Sequence, residues 1–456
     1  MDTFFYKGQE NIIASEKTQT IEFDEIPNLS KIKDAFLKVL DNKNLSFLLG
    51  SGCSSYEIKQ DKGDATDVDA KYLQIGIPVM APLAKEFYIL KEFEEAKKWL
   101  KDELQIDVES KTFATNLESF LSILHSLSFY HSRIAQYEST KTDKIEVEEQ
   151  DGASDKSEFE KLDNAGKINH IIIKARNFIL KKMLNEENVL KKSDKPLLNI
   201  YKQFYRKLLS RNSTLPRLNI FTTNYDLYSE KAMDSLGIHY VNGFTGGITK
   251  FFNPTIFNYA LAEKMDLSQS KWSVIDNFFY LYKIHGSVNW IEAEGENKLF
   301  KVKEIQEATF EKLKDEATIM IHPTPLKYNA SLGSPYSDLF REFQRKLMVN
   351  NNILVTIGYS FSDEHINNLI FQAFTIPSFR LIVIGEPTEY NKIGELKKLD
   401  DPRIWIIGEE FPKDDEHYIP LHFFKRFVDE ILPDLTNEDL DKKMETTINN
   451  LKDLLR

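Results

Sequence analysis

Cysteine is nearly absent. Cys53 is the one cysteine in 456 residues, which excludes an internal disulfide and any structural zinc site built from several thiolates. Long apolar runs are missing as well. No uninterrupted stretch approaches the ~20 residues that span a bilayer. The start, Met1-Asp2-Thr3-Phe4-Phe5-Tyr6-Lys7-Gly8, has no basic segment ahead of an apolar one, so neither a membrane anchor nor a signal peptide is expected. Positive charge is in deficit: 59 Lys and Arg stand against 71 Asp and Glu, a formal charge of -12. That argues against direct, broad non-specific nucleic-acid binding and leaves room for a local basic groove. The P-loop pattern of Gly, four residues and Gly-Lys-Ser/Thr does not occur, which counts against a P-loop ATPase or GTPase. The nine histidines form no His-Glu-x-x-His or comparable metal pattern. Together these absences lead to the expectation of a cytoplasmic protein without a metal centre.

What remains is ample material for a core. Hydrophobic residues make up 41% and charged residues 29% of the chain, a globular balance. One unit recurs without being a repeat: a buried strand that stops at a small polar cluster. It is found at 45–54, 218–226, 278–287, 353–363 and 380–386. Strands apolar on both faces and followed by helical segments indicate a parallel sheet covered on both sides. In such sheets ligands bind beyond the carboxyl ends of the strands. Leu218-Asn219-Ile220-Phe221-Thr222-Thr223-Asn224-Tyr225-Asp226 is the clearest case. Its polar end reads either as a ligand contact or as an Asx turn ahead of a helix. Likewise, Gly50-Ser51-Gly52-Cys53-Ser54 reads either as a phosphate-approaching turn backed by helix-start amides or as an ordinary tight βα turn.

The domain reading follows the same signals. Residues 1–30 are an arm or edge segment. Residues 31–84 and 213–430 form the α/β, Rossmann-like domain. Residues 85–212 carry apolar stripes at helical spacing and form a helical insertion, with a charged, disordered loop at about 138–160. Residues 431–456 are a C-terminal amphipathic helix. Ser55 to Ile75 reads as a mobile polar loop able to act as a lid. Asn242 to Gly247 reads as a flexible loop. Val288 to Ile291 opens a hairpin turning at Ala293 to Asn297, and Ile319-Met320-Ile321 is a short strand ending at His322.

Read in order, the clusters resemble the sirtuin family. Gly50-Ser51-Gly52-Cys53-Ser54 is similar to its nucleotide loop, and Gly76-Ile77-Pro78 to the Gly-Ile-Pro that follows it. Thr222-Thr223-Asn224-Tyr225-Asp226 resembles the Thr-Gln-Asn-Ile-Asp motif. Lys283-Ile284-His285-Gly286-Ser287 resembles the motif of the family's catalytic histidine. Gly358-Tyr359-Ser360 stands where the family has Gly-Thr-Ser, and Ile384-Gly385-Glu386 where it has a ribose contact. The resemblance covers about 45–80 and 215–410. It departs from the deacylases, whose small domain carries a four-cysteine zinc ribbon, and Val79-Met80 replaces the usual Phe-Arg. The pattern, Gly358-Tyr359-Ser360-Phe361-Ser362-Asp363 included, looks more like the bacterial sirtuin-like effectors of antiphage defence, which hydrolyse NAD+.

The resemblance implies NAD+ as substrate and no zinc. It makes His285, Asn224 and Asp226 catalytic: His285 as base, Asn224 to position ribose or water, Asp226 to hold the loop or stabilise the nascent cation. Gly50, Ser51, Gly52, Ser54, Pro78, Thr223, Gly358, Ser360 and Glu386 would contact the dinucleotide. Asp363 and His365 read as caps of the following helix, and His322 as a candidate behind the site. A homo-oligomer and a separately encoded partner, such as a HerA-type ATPase, are further expectations. A protein deacylase or ADP-ribosyltransferase, or a non-catalytic NAD+ or ADP-ribose sensor, are the alternatives.

Overall fold

The apolar runs of the sequence become the centre of one nine-stranded sheet in the computed structural model. The structure describes residues 3–13, 27–59, 72–139, 157–185, 195–266, 271–293, 301–316, 318–320, 333–410 and 418–435. Seven strands run parallel, in the order Ile404–Glu409, Arg380–Ile384, Asn352–Ile357, Asn44–Leu49, Asn219–Thr222, Phe278–Lys283 and His239–Val241. Thr3–Lys7 adds to the outer edge antiparallel to Ile404–Glu409, and Glu10–Asn11 extends it. Part of the N-terminal segment is therefore an edge strand.

Successive side chains point to opposite faces of a strand, and both faces here are apolar. Phe47, Leu49, Ile220, Val355, Ile357 and Ile382 lie in one cluster with residues of the helices Pro27–Leu40 and Lys195–Leu209. Leu48, Phe221, Tyr282, Leu354, Leu381 and Val383 lie in a second, with the helices Tyr336–Leu347 and Glu364–Ala373. This two-sided cover explains why the strands read as continuous apolar runs.

The helices Met80–Tyr88, Glu94–Leu104, Leu117–Ser139 and Asn164–Leu184 carry a third cluster, around Leu83, Phe87, Phe93, Phe120 and Ile168. Helix Lys195–Leu209 differs from the reading that placed it with them. Its stripe, Leu197, Ile200, Tyr201, Phe204, Tyr205 and Leu208, packs on the sheet. Periodicity marks an amphipathic face but does not say which neighbour covers it.

Two loops of the sequence reading contain strands. Ser55–Lys59 and Tyr72–Gly76 pair antiparallel from Ser55 opposite Gly76 to Lys59 opposite Tyr72, so the supposed mobile segment is a hairpin at its base. Phe244–Thr245 and Lys250–Phe252 pair within a small five-stranded sheet that also holds Gly286–Glu292, Val302–Glu304 and Thr318–Met320. Buried aromatic side chains decide this: Phe244, Phe252 and Trp290 pack ring on ring. The hairpin turn expected at 293–297 lies almost wholly outside the described residues, as do His322, the loop core at 140–156 and the final helix from 436. Among the described residues no helix is long and apolar enough to cross a membrane.

Candidate active site

Strand Asn44–Leu49 has Asn219–Thr222, which follows it in this sheet, on one side and Asn352–Ile357 on the other. The chain reverses its direction of travel across the sheet at this boundary, and such switch points open a crevice beyond the strand ends. A cleft of about 620 Å³ lies there, within the usual range of small-molecule and cofactor sites. Ser51, Ser54, Thr223, Asn224, Asp226 and His285 line it from the sheet side, with Gly358 to Ser360 beside them. Pro78, Met80, Asn116, Glu118 and Met183 line it from the helical side.

The glycine loop is built for a neighbouring loop. A side chain on Gly50 would start 2.3 Å from the carbonyl oxygen of Gly358, and one on Gly52 would start 2.9 Å from the Gly358 Cα. Gly358 itself sits at φ +62, a conformation open to glycine at no steric cost. The amides of Gly50, Gly52, Cys53 and Ser54 donate to Ile357, Gly358, Gly50 and Ser51 carbonyls. No long helix begins here either: Ser51–Cys53 is one short 3₁₀ turn. The reading of a helix-backed amide cradle is thus corrected. Ser51 and Ser54 face the cleft, while Gly50 and Gly52 hold the two strand-end loops together. Cys53 is buried against the Ile357 carbonyl (3.3 Å), and burial pushes its thiol well above the ordinary range. A protonated buried thiol is a poor nucleophile.

Asn224 is locked by its surroundings. Its Nδ2 donates to the Gly50 carbonyl (2.9 Å) and to Ser54 Oγ (2.8 Å). A carbonyl can only accept, so the amide orientation is determined and Oδ1 is the atom left to offer a ligand. Ser54 Oγ in turn donates to Asp226 Oδ2 (2.5 Å), and Asp226 Oδ1 accepts from the Tyr228 amide (3.1 Å). Both carboxylate oxygens are therefore engaged in holding the loop. The Asx turn read from this stretch is present, and the same stretch lines the cleft.

A buried ion pair props the same loop from below. Lys283 Nζ lies 3.0 Å from Glu230 Oε1 and donates also to the carbonyls of Tyr225 (3.3 Å) and Asp226. Lys283 is 1% exposed. Burial raises the Glu230 pKa, and the Lys283 charge opposes that shift.

His285 follows directly at the end of the Lys283 strand. Its Nε2 lies 3.1 Å from Asp363 Oδ2, at ion-pair distance but off the line of a hydrogen bond. Asp363 is at the same time the N-cap of helix Glu364–Ala373: its Oδ1 accepts from the amides of His365 (3.0 Å) and Ile366 (3.3 Å). The Tyr225 ring stands 6.3 Å from the imidazole. Burial, and after it the Glu118 carboxylate, pushes the Tyr225 phenol well above its ordinary range.

The cleft therefore brings together Ser51, Ser54, Pro78, Thr223, Asn224, Asp226, His285, Gly358 and Ser360 of the residues singled out by sequence. Gly50 and Gly52 stand behind its lining, and Glu386 lies away from it, its carbonyl accepting from Asn391 (2.8 Å). Sequence reasoning passed over Glu118 and Asn116, which come from the insertion, and the Lys283–Glu230 pair. One signal for the pair was on the page: a single lysine at the end of an otherwise apolar strand. Among the described residues lining the cleft there is no lysine or arginine; its acidic groups are Glu118, Asp226 and Asp363.

A family model of the SIR2-like domain matches residues 218–383. The matched stretch contains Asn224, Asp226, His285, Gly358, Ser360 and Asp363, and supports a sirtuin-like family. SIR2-like domains are typically NAD-dependent enzymes, which ties the chain to NAD-related chemistry in general. No curated protein matches the chain.

Proposed function

We propose that the chain is an NAD+ glycohydrolase that releases nicotinamide and yields ADP-ribose. One observation carries the reading: His285, with Asp363 at 3.1 Å, and Asn224, with its amide locked, share a cleft at the sheet's switch point. The charge of that cleft supports it. In NAD+ the pyridinium nitrogen is cationic, and the ribose gains oxocarbenium character as the bond to it breaks. Glu118, Asp226 and Asp363, with no opposing lysine or arginine among the described lining residues, suit both charges.

The residues divide the work by their partners. The C1′–N bond breaks with its electron pair going to nicotinamide, which leaves neutral and needs no acid. Water then forms the new C1′–O bond and gives its proton to His285. Placing the imidazole proton on Nε2, the nitrogen beside Asp363, leaves Nδ1 as the nitrogen that takes the proton. The Asp363 carboxylate stabilises the imidazolium that results. Asn224 Oδ1 accepts a hydrogen bond from a ribose hydroxyl or from the water and acts by position. Asp226 holds Ser54 and the turn at Tyr228 in register.

By the resemblance described above, we further place this activity in antiphage defence through NAD+ depletion, in a homo-oligomer with a separately encoded partner such as a HerA-type ATPase. Incubating the purified chain with NAD+, alone and with that partner, and identifying products tests the reading. Nicotinamide and ADP-ribose in equal amounts are expected. Release that requires an acylated peptide would instead make it a deacylase, and tight binding without turnover would make it a sensor.

A further inference from the structure

The larger cleft lies at the opposite edge of the sheet, where the central strands begin. It measures about 800 Å³ and, among the described residues, is lined by Lys43, Arg217, Arg345 and Lys346 with a single carboxylate, Asp276. In a chain of formal charge -12, a concave surface with four cations to one anion runs against the whole. A cleft lined by one sign of charge concentrates ligands of the other.

How each cation is held separates them. Arg217 lies 3.3 Å from Asp276 Oδ1, and Arg345 is paired with Glu342 at 2.5 Å. Both are largely neutralised. Lys43 and Lys346 have no carboxylate at ion-pair distance among the described residues. The Lys346 ammonium instead lies over the Tyr280 ring, 5.1 Å from its centre. Burial first, and Arg345 second, lower its pKa below the ordinary lysine value. An anion beside it would relieve both effects. Cations in the last turn of helix Tyr336–Leu347 offset its C-terminal dipole, which accounts for Arg345 and Lys346. It does not account for Lys43 and Arg217, which come from the approaches to two different strands.

The remaining wall suits a flat ring beside the charge. Leu215, Pro216 and Val349 are among its apolar lining residues. Tyr280 is fixed by the hydrogen bond from its hydroxyl to the Tyr259 carbonyl (2.7 Å). A single-stranded nucleic acid calls for an extended basic track with several stacking platforms; here the two unpaired cations share one cavity.

We propose that this amino-edge cleft binds a nucleoside phosphate, with the phosphates at Lys43 and Lys346 and the base against Leu215, Pro216 and Val349. The test is isothermal titration of the full chain with ADP, inorganic diphosphate, adenosine and an oligothymidylate. ADP is expected to bind more tightly than diphosphate or adenosine. The double variant Lys43→Gln/Lys346→Gln is expected to weaken it at least about tenfold, the loss of one charge-assisted contact or more. Val349→Trp, which fills the cleft and removes no charge, should do the same. Thermal melting of each variant shows that it is folded. The proposal is overturned if ADP does not bind or if both variants bind it as the parent does, because the binding would then lie elsewhere. Diphosphate binding as tightly as ADP would refute a nucleoside site, and oligothymidylate binding more tightly than ADP would make this a nucleic-acid surface.

Discussion

The two edges of the sheet carry clefts of opposite charge. At the carboxyl edge the acidic side chains are Glu118, Asp226 and Asp363; at the amino edge Lys43, Arg217, Arg345 and Lys346 outnumber Asp276. Much of this follows from the backbone. Helices that return across a parallel sheet tend to start near the carboxyl edge and finish near the amino edge, and their ends carry partial charges that favour acids and bases respectively. Asp363 caps one such start, and Arg345 and Lys346 close one such end. Charge alone therefore does not mark function at either edge. The distinguishing feature is a charged or polar group whose partners leave an atom pointing into a cavity. Asn224 and His285 meet that test at one edge, Lys43 and Lys346 at the other.

The comparison breaks most visibly if His285 is removed. His285→Ala should lower NAD+ cleavage by about 10²–10⁴-fold, the usual reach of a general base, and Asn224→Ala should also cost most of the activity. ADP binding at the amino edge should survive both, as calorimetry would show. Full cleavage activity in both variants would sink the site assignment.

Next in size is the prop beneath the carboxyl edge. Lys283→Met leaves Glu230 buried without its partner, and stripping one member of such a pair costs about 3–5 kcal/mol. Denaturant unfolding measures that loss. Lys283→Met/Glu230→Met should recover much of the stability, since neither charge is then stranded. It should not recover activity, because the carbonyls of Tyr225 and Asp226 have still lost their donor. Recovery of both would show that the pair only stabilises.

Gly50→Ala is expected to cost about 1–3 kcal/mol, the range for overpacking, because its Cβ would meet the Gly358 carbonyl. Its melting temperature should fall, while Ser51→Ala, which faces the cleft, should leave it nearly unchanged.

The smallest effect is a slope in pH. His422 packs behind strand Ile404–Glu409, where its Nδ1 accepts from the Glu409 amide (3.5 Å). Burial lowers its pKa from 6.5 to about 4. The unfolded chain therefore binds the proton more readily, so the stability from neutral His422 is complete above about pH 6.5 and is lost as pH falls toward 4. Urea titrations across that window should show a shallower dependence in His422→Phe.

The strand ends were legible because a buried apolar run that breaks into Thr-Thr-Asn-Tyr-Asp or Lys-Ile-His-Gly-Ser has few other places to go. Gly50 was legible as a glycine that matters, but a missing side chain does not say what it makes room for. Here it admits the Gly358 backbone. Asp363 was read as a cap, which it is; that its second oxygen reaches His285 depends on a strand some eighty residues earlier. Glu118 and Asn116 could not be found from motifs, because the insertion sets them opposite the sheet only through its packing. The hairpin at Ser55 to Gly76 was masked by its polar composition, although Tyr56, Ile58, Leu73 and Ile75 alternate as strand residues do.

That hairpin has an engineering consequence. Ser55 stands opposite Gly76, and the Ser54 carbonyl accepts from the Ile77 amide at 2.9 Å. The chain leaves the glycine loop and comes back to within one hydrogen bond of the point it left. Two ends that already meet make a ready graft point. A fluorescent domain spliced between Lys59 and Tyr72 would hang from a closed stem, and the cleft would keep both Ser54 and Pro78 in place.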